Sequence, residues 1–225
     1  MVPKGFLIGF AAFAIGVGTV QFAMQRGSTQ PGLQSVVIND SNVSHFATRD
    51  QEAAGLCPWR NQQADMQQFF PTADRAVEWN IVVSGQAQVV AKRLGRTPTG
   101  DEHALRAFVV IKGTKPMGYV ITRRVRGEYG LIELLLIVEA GSDAVKYARI
   151  QRLREPGPIA QALQSEVWLK QFVGLTQDSD WGSVAHSPLL GTAAATSGTA
   201  VVEAARTAMI LFSTGRRAAG PVLPH

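Results

Sequence analysis

Six stretches of the chain alternate apolar and polar residues, or run apolar for several positions between turn signals. In order they are "WNIVVSG", "AQVVAKRL", "RAFVVIKG" (Arg106 to Gly113), "MGYVITRRV" (Met117 to Val125), "LIELLLIV" (Leu131 to Val138) and "VKYARIQRL" (Val145 to Leu153). They are rich in β-branched and aromatic residues, which suit a pleated, half-buried surface, so all six are expected as strands. The connections are short, such as Gly113-Thr114-Lys115-Pro116 and Ala140-Gly141-Ser142-Asp143. Links of that length make hairpins, so the sheet is expected to be antiparallel. Further on the period changes to that of a helix. In "PIAQALQSEVWLKQF" Ile159, Leu163, Val167 and Phe172 form a stripe behind Pro158. In "TAVVEAARTAMILF" the stripe is Val201, Ala204, Ala205, Ala208, Leu211 and Phe212. The expected fold class is α+β, an antiparallel sheet covered by helices.

Before the first strand the pattern is of two other kinds. Gly5 to Met24 holds no charged residue, and about 20 such positions are what a helix needs to cross a bilayer core. The apolar core of a cleaved signal peptide would be shorter, so residues 1–26 are expected to be an uncleaved membrane anchor. Lys4 in front and Arg26 behind tip the amino terminus toward the cytoplasm. That makes a single-pass protein of the inner membrane with its domain on the periplasmic side. Gly5, Gly9, Ala12 and Gly16 share one helix face. Small residues there let another membrane helix approach closely, although glycine and alanine are also simply common in such helices. Residues 27–68 are polar with little periodicity and are expected as an irregular stalk. The compact domain is placed at 69–213 and an extended tail at 214–225.

Composition narrows the chemistry. The 225 residues are 46% hydrophobic and 17% charged, with 22 Lys and Arg against 17 Asp and Glu. The basic clusters, Arg123-Arg124-Val125-Arg126 and Arg216-Arg217, have no aromatic interleaving, so nucleic acid is not an expected partner. Cys57 is the only cysteine, and His45, His103, His186 and His225 lie far apart. Neither a disulfide nor a metal site is indicated.

The order of short segments from Gly127 to Gly174 is more specific. Glu128-Tyr129-Gly130 precedes the strand Leu131 to Val138; Glu139-Ala140-Gly141 ends it. The turn Arg154-Glu155-Pro156-Gly157 follows the next strand, and "EVWLKQFVG" (Glu166 to Gly174) comes after. This order, behind one anchor, resembles the FMN-binding domain of the flavin-carrying subunits of the Rnf complex and of the sodium-pumping NADH:quinone reductase. The resemblance covers roughly Phe69 to Phe212. It implies an exoplasmic domain and, as partners, the lipid bilayer and other membrane subunits of an electron-transport complex.

In that family FMN is held by a phosphoester to a threonine in a Ser-Gly-Ala-Thr segment just before the last helix. Backbone amides at the helix start hold the phosphate. Matching "AVVEAAR" to that helix puts Thr192, Ala193, Ala194 and Ala195 on the four positions, so the acceptor is Ala195, which has no oxygen. Sliding by one makes Thr196 the acceptor, but turns the helix by about 100° and takes its apolar stripe off the sheet. Neither register supplies the family's upstream acid; Leu189 or Leu190 stands there. The expectation is therefore no covalent cofactor and no independent catalysis, in an accessory, structural or assembly subunit. The alternative is a one-electron carrier holding FMN through Gly191, Thr192, Thr196, Ser197, Thr199 and Glu155. The same loop would serve equally as an ordinary helix cap, and Glu155 as a turn carboxylate paired with Arg152 or Arg154.

Overall fold

The computed structural model describes Val37–Ile38, Ser44–His45 and residues 63–219. The expected anchor, with Gly5, Gly9, Ala12 and Gly16, lies outside the described residues. Among those described, no helix is long and apolar enough to cross a membrane.

Five long strands form an antiparallel meander: β3 (Arg75–Val82), β4 (Ala104–Lys112), β5 (Lys115–Arg126), β6 (Leu131–Glu139) and β7 (Val145–Leu153). Two short strands, β1 (Val37–Ile38) and β2 (Ser44–His45), pair with the outer edge of β3. The expected irregular stalk thus supplies two edge strands and a helix, α1 (Gln63–Phe69). The α+β expectation holds; of the six expected strands five form, one is a helix, and β1 and β2 were not expected. "AQVVAKRL" is the helix α2 (Ala87–Leu94), closed by Gly95 at φ 76°. Only Val89-Val90 reads as strand there; Ala, Gln, Lys, Arg and Leu are good helix formers, and Val90 and Leu94, four apart, are the buried pair.

Both faces of the sheet are covered. Along β6, Ile132, Leu134, Leu136 and Val138 turn to one face; Leu135 and Ile137 turn to the other. This explains a strand that reads as apolar throughout rather than alternating. The second face is capped by α1, whose Met66 packs with Phe70 on Ala76, Val110 and Val120. The first carries α6 (Ala195–Ala219), which crosses β3 to β6. Every residue of its expected stripe is buried. The helix continues to Ala219, so an extended tail does not begin at 214 as expected.

The other expected helix is broken. It forms α3 (Gly157–Leu163), α4 (Glu166–Leu169) and a single turn, Lys170–Phe172, because Ser165 adopts an extended ψ of 120°. The restart changes which side points inward. Trp168 is fully buried, with its indole N–H donating to the Val184 carbonyl, while the expected Val167 is exposed. A last short helix, α5 (Gly182–Ala185), packs beside α6.

Candidate functional site

The segment resembling a flavin-attachment loop follows a turn at Pro188–Leu190 and enters α6 at Ala195. Gly191, at φ 60°, bends the chain. Gly191, Thr192, Ala193, Ala195 and Thr196 are exposed and Thr199 is half-buried. The residue before the helix is the buried Ala194, so none of the hydroxyls stands at the cap position; this corrects the capping expectation. Leu190 folds back over Gly198, where a Cβ would collide with its Cδ1. That contact fixes the loop on the first turn of the helix.

Two of the expected site residues do meet, at the β5–β6 turn. Fully buried Ser197 accepts the Glu128 N–H through Oγ at 2.9 Å. Glu155 Oε1 accepts the N–H groups of Tyr129 and Gly130, both at 3.3 Å. Glu155 therefore serves backbone amides, not Arg152 or Arg154 as expected. Its other oxygen, Oε2, is buried without a hydrogen-bond partner. A Cβ on Gly127 would run into Glu155 Oε1 and lie 2.9 Å from Ser197 Oγ. One on Gly130 would run into the Arg154 backbone. Three segments singled out by the resemblance are thus packed together, and Ser197 and Glu155 satisfy the amides of the β5–β6 turn. Gly191, Thr192 and Thr196 stay outside this knot.

Beside it lies a charged cluster missed in the sequence reading. Arg96 and Glu102 form a two-pronged pair at 2.6 and 2.7 Å, and Glu102 also accepts the Thr99 N–H. Thr99 and Glu102 make a capping box, whose Thr-x-x-Glu spacing was legible in the sequence. The Arg96 hydrogen bond is the main cause holding Glu102 down at about 2, against the opposing effect of burial. Arg123 reaches Asp101 at 3.1 Å and Glu102 at 3.7 Å, and its own burial lowers its affinity for a proton. Arg124 pairs with Glu133, and Arg216 with Asp143. Most of the two basic clusters is therefore engaged within the fold.

Grooves here are small. One of about 290 Å³ runs along α6 past Arg96, Arg123, Arg126, Glu203 and Thr207. Another of about 230 Å³ opens where the β4–β5 ladder ends at Ala107 and Ile121. Both fall below the roughly 300–1,000 Å³ of typical cofactor pockets. Among the described residues no three His, Cys, Asp or Glu side chains cluster as a metal site. No protein-family model matches the chain, and no curated protein matches it in sequence.

Proposed function

We propose that the chain is a membrane-anchored accessory, structural or assembly subunit of a respiratory or photosynthetic electron-transport complex. Its domain is of the FMN-binding type and carries no covalent flavin. One observation carries this reading: Glu155, Ser197 and Leu190 close the region between the β5–β6 turn and the start of α6 upon itself. Ala195, the acceptor position by resemblance, is the first residue of the helix and has no hydroxyl. What remains is a scaffold, and function on such a scaffold lies in its surfaces.

The carrier reading retains two supports. Thr196 is exposed in the first turn of a 25-residue helix, a favourable place for a phosphate. Glu155 Oε2 has no partner. The visible spectrum of the purified protein and its mass after denaturation separate the two. The expected result is no flavin absorption and the unmodified polypeptide mass. A flavin mononucleotide adduct that disappears in Thr196→Ala would make the protein an electron carrier.

A further inference from the structure

The turn between β5 and β6 exposes two large apolar side chains close together, Tyr129 (63% exposed) and Leu131 (42%). Three arginines stand around them. Arg126 is the cross-strand partner of Leu131 and shares its face of the sheet. The Arg154 N–H donates to the Leu131 carbonyl at 3.0 Å. Arg152 lies opposite Glu133, two residues further along the ladder, where Arg124 already pairs with that carboxylate. Arg126 and Arg154 are exposed and Arg152 is half-buried. None of the three is in an ion pair among the described residues. The acid exposed at this tip is Glu128. The turn is also held rigid: Gly127 N–H bonds the Gly130 carbonyl at 2.8 Å, and Glu155 and Ser197 bind the amides between them.

We propose that this end of the sheet docks on an anionic bilayer surface. Tyr129 and Leu131 enter the headgroup region, and Arg126, Arg152 and Arg154 meet lipid phosphates. A tyrosine beside an aliphatic side chain suits the boundary between water and hydrocarbon. Guanidinium groups match phosphate oxygens in geometry and charge. A rigid tip loses little conformational freedom on docking. A protein partner would need about 800 Å² of shaped surface on each side, whereas a bilayer needs only an apolar tip with a cationic rim. The inference rests on the membrane-anchored reading, since an anchor keeps the domain at high effective concentration near the lipid.

The test uses the full chain with Cys57→Ser and Glu128→Cys, labelled at position 128 with an environment-sensitive nitrobenzoxadiazole dye. It is reconstituted in vesicles of phosphatidylcholine alone, or of phosphatidylcholine with one-third phosphatidylglycerol. Blue-shifted, enhanced emission in the anionic vesicles, quenched by lipids carrying a shallow nitroxide, is the expected result. Arg126→Gln and Arg154→Gln should each lower the docked-to-free ratio roughly fivefold. Emission that stays water-like in both vesicles, or that is equal in both and unmoved by the arginine variants, overturns the proposal. An alkaline wash tests the anchor separately. Chain that is stripped off the vesicles contradicts anchoring, while chain that remains but keeps its dye in water contradicts docking alone.

Discussion

Glu102 shows how one side chain ties a loop to two others. It is buried, and its carboxylate holds Arg96, the Thr99 amide and, more distantly, Arg123. Its folded value of about 2 lies below the ordinary 4.5, so in that interval the unfolded chain binds a proton more readily. Its contribution to stability is therefore complete above about 4.5 and is lost as pH falls toward 2. Thermal unfolding should reveal this as a fall in Tm across that window. Glu102→Gln should be less stable at neutral pH by about 1–3 kcal/mol and should lose part of the acid-side slope. An unchanged slope in Glu102→Gln would locate the acid sensitivity elsewhere. At Gly127 the limit is space, not charge. Gly127→Ala drives a methyl group into Glu155 and close to Ser197. A loss of about 1–3 kcal/mol is expected in denaturant unfolding. An alanine variant as stable as the parent would show that the knot at the β5–β6 turn gives way easily.

Among the elements, α6 organises the domain, and small residues set how closely it lies on the sheet. Ala204, Ala205 and Ala208 are buried, and a Cβ on Gly215 would collide with Cγ2 of Ile81, itself in the core. Two effects of Gly215→Ala oppose each other. Helix propensity favours alanine by about 1 kcal/mol. Overpacking costs about 1–3 kcal/mol, and Ile81, branched, buried and paired across the ladder with buried Leu105, has little room to move. The collision should win, giving net destabilisation in chemical denaturation; a more stable variant would mean that α6 shifts freely. At the other end of the helix, Leu190→Ala would remove the side chain lying over Gly198. About 2–5 kcal/mol should be lost, together with faster amide exchange in residues 191–198. Slow exchange there in the variant would show that the loop is held by something else.

Across the described residues of the domain, the sheet is the middle of three layers, and the two outer layers are attached differently. The helices on one face are joined by a continuous apolar core. On the other face α1 is held by a smaller cluster and by a polar latch: Asp65, buried, pairs with Arg149 at 2.5 Å and accepts from Gln151 at 3.2 Å. Asp65→Ala leaves Gln151 without that partner and Arg149 to water. It should cost about 1–3 kcal/mol, with amide exchange rising in α1 far more than in α6. Equal acceleration in both would mean that the layers open together.

What was legible in the sequence was the local pattern wherever tertiary contacts reinforced it. Residues of β4 to β7 alternate or run apolar because they face one or two packed layers. The α6 stripe spaces its apolar positions as a helix lying on a sheet requires. Ala195 could likewise be read directly, since a missing oxygen does not depend on folding. Three features were settled only by the fold. "AQVVAKRL" became a helix because Val90 and Leu94 find a core four residues apart. The second helix broke at Ser165, so that Trp168 rather than Val167 is buried. Glu155 and Ser197, 42 positions apart in the numbering, serve the amides of one turn that no local pattern places between them. The last two depend on contacts distant in sequence, where burial and satisfied polar groups outweigh the few tenths of a kcal/mol per residue that propensity supplies. In "AQVVAKRL" the burial of Val90 and Leu94 adds to the helix propensity of its Ala, Gln, Lys, Arg and Leu residues.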